Sequence, residues 1–465
     1  MALFTFLDRD HTIAPPGFNR WRVPPAALAI HLSIGQAYAF SVFNLPLSRL
    51  RGITAPASDD WRLTTIGWIF SVAIVCLGLS AFTFGRWLEQ AGPRKAMFAS
   101  ASCFGGGFVV AALGVQLHQF WLVVLGYGVI GGIGLGLGYI SPVSTLIRWF
   151  PDRPGMATGL AIMGFGGGAM IGSPLGVALM EHYRSATSLG VVETFVVMGA
   201  AYFVFMLFGV FTVRLPAPGW VPHEGRAATR RARVAAGGDV HVDRAIRTPQ
   251  FWLLWTVLLL NVTAGIGVLG QASPMIQEMF PGTITAGAAA GFVGLLSLAN
   301  MIGRFGWSSL SDVIGRRRTY MVYFALGALL YAGVPSTGRA GQVVLFVAFY
   351  AVIMSMYGGG FATIPAYLRD AFGTMHVGAI HGRLLTAWSL AGVAGPVLVN
   401  YLREYQVARG VPARDAYSVT MYLMALLLVV GFAANWFVRP VGPEHFFVRD
   451  DERDAVGLGA RGSVA

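Results

Sequence analysis

Long apolar runs separated by short polar connections limit the possible folds of this chain more than any other sequence feature. A helix of about 20 apolar residues crosses the ~30 Å hydrocarbon layer of a bilayer. The runs of about this length are residues 23–47, 64–84, 96–116, 119–147, 155–180, 190–213, 251–275, 285–308, 319–335, 341–366, 377–402 and 416–438. Only 12% of the residues are charged, against about 25% in soluble domains. The sequence therefore predicts an all-α membrane protein with twelve transmembrane helices.

The distribution of charge indicates a lipid bilayer as partner and argues against nucleic acid. The formal net charge is +12, but the basic residues form short clusters between apolar runs, as membrane loops require. Cys76 and Cys103 both lie inside apolar runs, where small buried side chains are the simplest interpretation. The first run is too long for a signal-peptide core, which predicts a retained helix. We expect no metal, no cofactor and no nucleic-acid partner.

Arginine and lysine also predict the orientation of the chain. An even number of spans places both termini on one side, and the loops of that side carry most of the Arg and Lys. The positive-inside rule then makes both termini cytoplasmic in a plasma (inner) membrane protein. We predict a monomer with cytoplasmic tails at 1–22 and 439–465, six-helix bundles at 23–213 and 251–438, and an arginine-rich linker at 214–250.

Two sequence patterns occur once in each half of the chain. Gly92-Pro-Arg-Lys follows the second run, and Gly315-Arg-Arg-Arg follows the eighth run. Phe150 lies after the fourth run and Phe372 after the tenth, at nearly the same distance from Gly92 and Gly315, respectively. Two independent matches at nearly the same offset predict two pseudo-symmetric six-helix bundles. Such a duplication is typical of secondary transporters, whose substrate site lies near the membrane midplane between the repeats.

Arg304 lies where an apolar run should not tolerate it. Asp312 marks the point at which the eighth run meets water, and Arg304 precedes it by eight residues, or roughly 12 Å of helix. That depth is close to the middle of the hydrocarbon layer. A guanidinium does not lose its proton there, and its insertion costs about 2.5 kcal/mol or more. The side chain must therefore face a polar cavity or an anion.

Several motifs resemble those of a known transporter superfamily. Residues 85–95, GRWLEQAGPRK, are similar to the loop signature between helices two and three of the major facilitator superfamily, with Glu89 in place of the usual aspartate. Within that superfamily, the oxalate/formate antiporter family shows similar segments. They are residues 139–142 (YISP), 149–155 (WFPDRPG), 164–168 (GFGGG), 357–360 (YGGG) and 382–388 (GRLLTAW). The resemblance, which extends to the monocarboxylate transporters, implies the major facilitator fold and transport of small carboxylates by alternating access.

The resemblance also implies a substrate site. Arg304 matches the helix-eight arginine that holds the substrate carboxylate in these families, and its planar fork suits a bidentate grip. Aromatic residues enclose the anion in family members. The candidates here are Tyr38, Tyr139, Tyr357 and Trp388, with Gln36 and Asn300 as further hydrogen-bonding groups. The alternatives are a structural arginine that bridges backbone carbonyls, and aromatic side chains that pack or face lipid.

Two departures from the family pattern affect the substrate and the coupling ion. Oxalate exchangers carry a second cation in helix eleven, whereas Lys95 is the only lysine here and lies in a loop. One fixed charge favours a monoanion, because a second buried carboxylate would lack a partner. His381 and Arg383 lie closer to the cytoplasm, where snorkelling is expected.

The second departure concerns protons. Asn300 stands where the monocarboxylate transporters have an acidic residue, and no Asp or Glu lies near the middle of a run. His31 is the remaining candidate for a proton carrier, although a neutral, hydrogen-bonded core histidine is the alternative. Exchange, uniport and co-entry of a proton therefore stay open.

Charged residues at the run ends are candidates for a conformational gate. Glu89 is predicted to pair with Arg94, and Asp312 with Arg316. Such pairs would hold one conformation of a transporter together. Solvated loop charges, worth at most about 1 kcal/mol per exposed pair, are the alternative.

The sequence as a whole predicts a secondary active transporter of small carboxylate anions, with monocarboxylates as the favoured substrates. An oxalate/formate-type exchanger, an efflux transporter of amphiphiles and a non-transporting solute sensor on the same fold are the alternatives. An enzyme is not expected, because no nucleophile, metal cluster or pair of carboxylates converges on the apolar runs.

Overall fold

The chain forms a bundle of long helices. The computed structural model describes residues 5–54, 57–222, 238–269 and 271–446, without the side chains of residues 63, 64, 286, 287 and 290. Its long helical segments are α1 (Arg20–Leu47), α2 (Leu63–Ala91), α3 (Pro93–Gln116), α4 (Phe120–Trp149), α5 (Pro154–His182), α6 (Val191–Thr212), α7 (Pro249–Leu269), α8 (Ala286–Ile314), α9 (Arg316–Arg339), α10 (Val343–Phe372), α11 (Val377–Ala408) and α12 (Ser418–Phe437). In the described part of the chain, the 11 segments other than α8 are long and apolar enough to cross a membrane. The remaining segment, α8, carries Arg304. The predicted all-α membrane fold is confirmed.

Three pairs of helices match in length between the two halves. α2 and α8 each have 29 residues, α3 and α9 each have 24, and α4 and α10 each have 30. Gly92 and Gly315 end α2 and α8 with the same backbone φ of +88°, a conformation that glycine adopts without steric cost. These correspondences support the duplication inferred from the sequence. Much of the predicted linker and C-terminal tail, and residues 1–4 of the N-terminal tail, lie outside the described residues.

Several helices are longer than the apolar runs that predicted them. The runs that end at residues 84, 308 and 366 continue as helix to Ala91, Ile314 and Phe372. Hydrophobicity reports how far a segment stays in hydrocarbon, whereas helical hydrogen bonding continues into the polar region until a glycine ends it. The added turns carry the charged residues Glu89 and Asp312.

Three helices contain breaks in their α-helical hydrogen bonding. α1 contains a 3₁₀ segment at Gly35–Phe43, α4 contains a π-helical segment at Val124–Gly131, and α11 is interrupted at Leu385. Non-α segments within a helix often mark hinges or functional sites. In α1, the break carries the predicted site residues Gln36 and Tyr38.

The two halves meet closely along two helix pairs. Between α5 and α8, a Cβ added to Gly159 would lie 2.8 Å from the Arg304 carbonyl oxygen. Between α2 and α11, a Cβ added to Gly85 would lie 2.9 Å from the Ala379 Cα atom. Glycine permits this approach because it has no side chain. Both contacts lie toward the membrane face on which α1 begins and α12 ends, hereafter the terminal face.

Candidate functional site

Arg304 of α8 is buried between the two halves. Its side chain is 0% exposed, so it does not face lipid. Nε donates to Asn300 Oδ1 over 3.0 Å, and Nη1 donates to the Ile162 carbonyl oxygen over 3.4 Å. Nη2 has no hydrogen-bond partner, and no carboxylate of the described residues bonds to this guanidinium. A permanent cation is thus held by two neutral acceptors, and Nη2, one of its three nitrogen atoms, has no acceptor.

The surroundings of Arg304 favour an anion. The guanidinium carbon lies 5.6 Å from the ring centre of Phe165 and 5.4 Å from that of Phe361, and both rings offer weak cation–π stabilisation. Amide and carbonyl oxygens do not neutralise the charge. Burying a charge without a counter-ion costs several kcal/mol, and a bound carboxylate would reduce that cost.

Six aromatic side chains form a cluster around Arg304. The members of this aromatic cluster are Tyr38, Tyr139, Phe165, Tyr357, Phe361 and Trp388. Trp388 is central, because its ring centre lies 4.6 Å from Phe361, 5.2 Å from Tyr139 and 5.5 Å from Phe165. The hydroxyls of Tyr38 and Tyr357 meet across the two halves at 3.3 Å. The four aromatic residues predicted from the sequence are therefore brought together.

Phe165 and Phe361 are the members that the sequence did not single out. Both stand next to the glycines of motifs that the resemblance had drawn attention to, GFGGG and YGGG. Glycine next to an aromatic residue permits close helix packing around a large ring. That local pattern was the available signal.

Several buried polar atoms in or beside the aromatic cluster lack protein partners. Tyr139 Oη, Trp388 Nε1 and His381 Nε2 have none among the described residues, like Arg304 Nη2. A buried donor without an acceptor costs about 1–3 kcal/mol. Oxygen atoms of a bound ligand would supply acceptors to these groups.

Asn300 and Gln36 have different surroundings. Asn300 is buried and orients the guanidinium through its side-chain oxygen. Gln36 accepts a hydrogen bond from Tyr127 Oη of α4 over 3.0 Å, and its side chain packs against Gly172 of α5. The structure therefore places Gln36 within the N-terminal half, not next to Arg304.

Two histidines are buried close to Tyr139. His31 of α1 is 0% exposed, and its ring stacks on Tyr139 with centres 5.3 Å apart. His381 of α11 is 1% exposed, with its ring centre 5.8 Å from that of Tyr139. The predicted snorkelling of His381 is wrong, because this position of α11 faces α4 and not the membrane surface. Arg383 instead reaches the terminal face and bonds to Asp243 Oδ1 over 2.6 Å.

Asp312 lies at the terminal end of α8 and pairs with Arg316 over 2.5 Å, as predicted. Its two oxygens also accept hydrogen bonds from the backbone N–H groups of Gly155 and Met156, each over 2.8 Å. These N–H groups belong to the first turn of α5, where the helix dipole favours a negative charge. The carboxylate therefore links the two halves.

The predicted pairing of Glu89 with Arg94 is wrong. Glu89 instead forms an ion pair with Arg148 of α4 and accepts a hydrogen bond from the Gly378 N–H at the start of α11 over 3.2 Å. Arg94 is 0% exposed and donates to the Phe6 carbonyl oxygen over 2.7 Å. The N-terminal segment covers the start of α3 and supplies carbonyl acceptors, which sequence spacing alone does not reveal.

Asp243 connects α2 and α11 on the terminal face. It lies near the end of the linker and bonds to Arg383, while its other oxygen lies 3.2 Å from Arg86 Nη1. The hydrogen bond from Arg383, together with the charges of Arg383 and Arg86, lowers the pKa of the Asp243 carboxyl. The carboxylate form is therefore favoured at neutral pH.

Comparison with known proteins agrees with this arrangement. A family model described as Major Facilitator Superfamily matches residues 25–396. The chain is 25% identical over 424 residues to the oxalate:formate antiporter of Oxalobacter formigenes, covering 91% of this chain and 92% of that one. It is 26% identical over 379 residues to apicoplast pyruvate carrier 1 of Toxoplasma gondii, covering 70% and 68%.

Solved structures show the same fold. The proton:xylose symporter XylE superposes with a TM-score of 0.68 at 16% identity, covering 94% of this chain and 98% of that one. At this level of identity the similarity concerns the fold alone. The arrangement of α1–α12 in two bundles is thus found in a solved transporter.

Proposed function

The chain belongs to the Major Facilitator Superfamily of membrane transporters, and we propose that it carries small monocarboxylate anions by alternating access, with Arg304 holding the carboxylate. The observation that carries this proposal is the buried, uncompensated charge of Arg304. It is a fully buried permanent cation without a carboxylate partner among the described residues, and Nη2 is free to donate. A carboxylate would accept from Nη2 and neutralise the charge at the same time.

The charge of the site favours a monoanion over a dianion. No second arginine or lysine joins Arg304 in the aromatic cluster as described, and Lys95 pairs with Asp8 over 2.5 Å at the terminal face. A second carboxylate in the cluster would be desolvated without a cationic partner. The relatives named as an oxalate:formate antiporter and a pyruvate carrier support small carboxylates as the substrate class.

The position of the site suits alternating access. Arg304, Tyr357 and Trp388 belong to the C-terminal half, whereas Tyr38 and Tyr139 belong to the N-terminal half. An anion bound between them would contact both halves and neutralise the charge of Arg304. Asp312 and Glu89, each bonded to the first turn of a helix in the other half, would hold the terminal face closed.

The membrane orientation is part of the proposal. We infer that the terminal face is cytoplasmic and that the protein acts as a monomer in the plasma (inner) membrane. The concentration of arginine in the loops of the terminal face supports this orientation. The proposed transport cycle requires no cofactor.

Counterflow in proteoliposomes tests the substrate role of Arg304. We expect unlabelled pyruvate or formate inside the vesicles to drive uptake of the labelled anion, and oxalate to do so less well. Arg304→Ala should lower uptake at least tenfold, because a hydrogen bond to a charged group contributes about 1.5–3 kcal/mol. Arg304→Lys should retain part of the activity, since it keeps the charge without the fork.

Arg403→Gln is the matched control, because Arg403 pairs with Glu278 outside the aromatic cluster. This variant should keep wild-type counterflow. Full counterflow by a folded Arg304→Ala protein would refute the proposal. Oxalate as the best substrate would refute the preference for monoanions, and binding without counterflow would indicate a sensor.

A further inference from the structure

His31 has an unusual pair of hydrogen-bonding partners. Nδ1 lies 2.7 Å from the Ala161 carbonyl oxygen, and Nε2 lies 3.1 Å from the Tyr139 carbonyl oxygen. A carbonyl oxygen only accepts, and a neutral imidazole has one N–H donor. In the neutral ring, one nitrogen must therefore direct its lone pair at a carbonyl oxygen. An imidazolium would donate to both, so these contacts favour the protonated form.

Other groups around His31 oppose that proton. Arg304 of α8 and His381 of α11 act on His31 from the C-terminal half, and the phenol of Tyr139 stacks on it from α4. α5 contributes the Ala161 carbonyl group and the backbone of Gly164. The charged residues of α3 and α6, which also pack against α1, lie at the helix ends. No carboxylate among the described residues bonds to His31. In the empty site, burial of the ring away from water and, in addition, the charge of Arg304 therefore disfavour a second cation.

From this geometry we propose that binding of a carboxylate to Arg304 drives uptake of one proton by His31, so that anion and proton cross the membrane together. The inference rests on the proposed carboxylate site. The anion cancels the repulsion from Arg304, and the two carbonyl oxygens then hold the imidazolium. Because coupling between two sites is reciprocal, protonation of His31 strengthens anion binding by the same factor.

The proton balance of the cycle is simple. Water at the open face supplies a proton to the ring nitrogen that carries the lone pair. Release of the anion at the other face restores the repulsion from Arg304, and the proton returns to water. One negative and one positive charge move together, so the net transport is electroneutral and requires no covalent step.

His381 provides a matched comparison for His31. It is also a buried imidazole next to Tyr139, but its Nε2 has no hydrogen-bond partner. It therefore lacks the pair of acceptors that would hold an imidazolium. His31→Gln should remove the coupling between proton and anion, whereas His381→Gln should retain that coupling whatever its effect on the rate.

The test uses the full-length protein in proteoliposomes with a trapped pH-sensitive dye and labelled pyruvate, with protein-free vesicles as the blank. For the wild type, we expect an inward proton gradient to stimulate uptake and the lumen to acidify as pyruvate enters. The apparent KM for pyruvate should fall about tenfold for each unit by which the pH is lowered, over the range in which His31 takes up its proton. His31→Gln should lose both proton effects, and its KM for pyruvate should no longer change with pH. It should still exchange pyruvate at saturating concentration, because counterflow needs no net proton movement.

The outcomes separate the two proposals. A wild type that moves no carboxylate refutes the proposed function. A wild type that moves pyruvate independently of the proton gradient, or a His31→Gln variant that keeps the proton effects, overturns this inference alone. If His31→Gln does not fold, ring-nitrogen NMR of ¹⁵N-histidine-labelled His381→Gln protein decides the matter. A buried histidine should become doubly protonated on addition of pyruvate at constant pH, and no change would contradict the inference.

Discussion

Asp312 Oδ1, at the end of α8, accepts a hydrogen bond from the Gly155 N–H in the first turn of α5 over 2.8 Å. The two residues belong to different halves of the molecule. Glu89, at the end of α2, makes the equivalent contact with the Gly378 N–H at the start of α11. An acidic residue from each half thus caps a helix of the other half, and the two contacts follow the internal duplication of the fold.

Removing the charge of Asp312 should loosen the terminal face. Asp312→Asn keeps one acceptor oxygen but loses the attraction to the α5 N-terminus and to Arg316. A charged hydrogen bond contributes about 1.5–3 kcal/mol, so opening of this face should become at least tenfold more frequent. Labelling of cysteines introduced along α5 and α8 would measure it. Asp415→Asn, which alters an ion pair with Arg339, should leave labelling unchanged.

Double-mutant cycles should distinguish the observed partner of Glu89 from the predicted one. Glu89 forms an ion pair with Arg148, whereas Arg94 bonds to backbone carbonyl groups. Glu89→Gln and Arg148→Gln should therefore be non-additive in thermal stability, by about 0.5 kcal/mol or more. Glu89→Gln and Arg94→Gln should be additive within error. Coupling of Glu89 to Arg94 alone would contradict the observed arrangement.

Much of the fold could be predicted from the sequence because the bilayer imposes strong constraints. Each helix must cross about 30 Å of hydrocarbon, so its apolar run is visible in the sequence. Arg304 was visible for the same reason, since a permanent cation inside such a run needs a special environment. The aromatic residues Tyr38, Tyr139, Tyr357 and Trp388 were found through the family resemblance, and the structure brings them together.

The features that the sequence did not reveal depend on contacts between distant segments. Arg148 becomes the partner of Glu89 because α2 and α4 pack side by side. His381 is buried because its helix faces α4 at that point. Gln36 turns toward Tyr127 in a 3₁₀ segment whose side-chain directions differ from those of an α-helix. Apolar periodicity carries no information about these neighbours.

The link through Asp243 should persist over most of the pH range. Its pKa is lowered in the folded protein, chiefly by the hydrogen bond from Arg383. A carboxyl whose folded pKa is depressed contributes stability above its unfolded pKa and loses that contribution as pH falls through the folded value. Asp243→Asn should therefore lower the Tm by a similar amount at all pH values above about 5, and the difference should fade in stronger acid. A difference that grew with acidification would contradict this assignment.

Gly159 should be essential for closure of the two halves around the site. A methyl group at this position would lie 2.8 Å from the Arg304 carbonyl oxygen and 3.1 Å from the Phe305 Cα atom. Both neighbours are backbone atoms of α8, so α5 and α8 would have to separate. Gly159→Ala should therefore reduce counterflow at least tenfold, even though alanine favours a helix by about 1 kcal/mol over glycine.

The matched control for this substitution is Gly106→Ala, because a Cβ on this α3 glycine meets nothing within 4 Å. It brings the same gain in helix propensity without the collision, so its counterflow should equal that of the wild type. Cysteine labelling at the terminal face should rise in Gly159→Ala and stay constant in Gly106→Ala. Equal counterflow in the two variants would show that the close approach of α5 to Arg304 is not needed for transport. The proposed cycle would then have to seal the site by another contact.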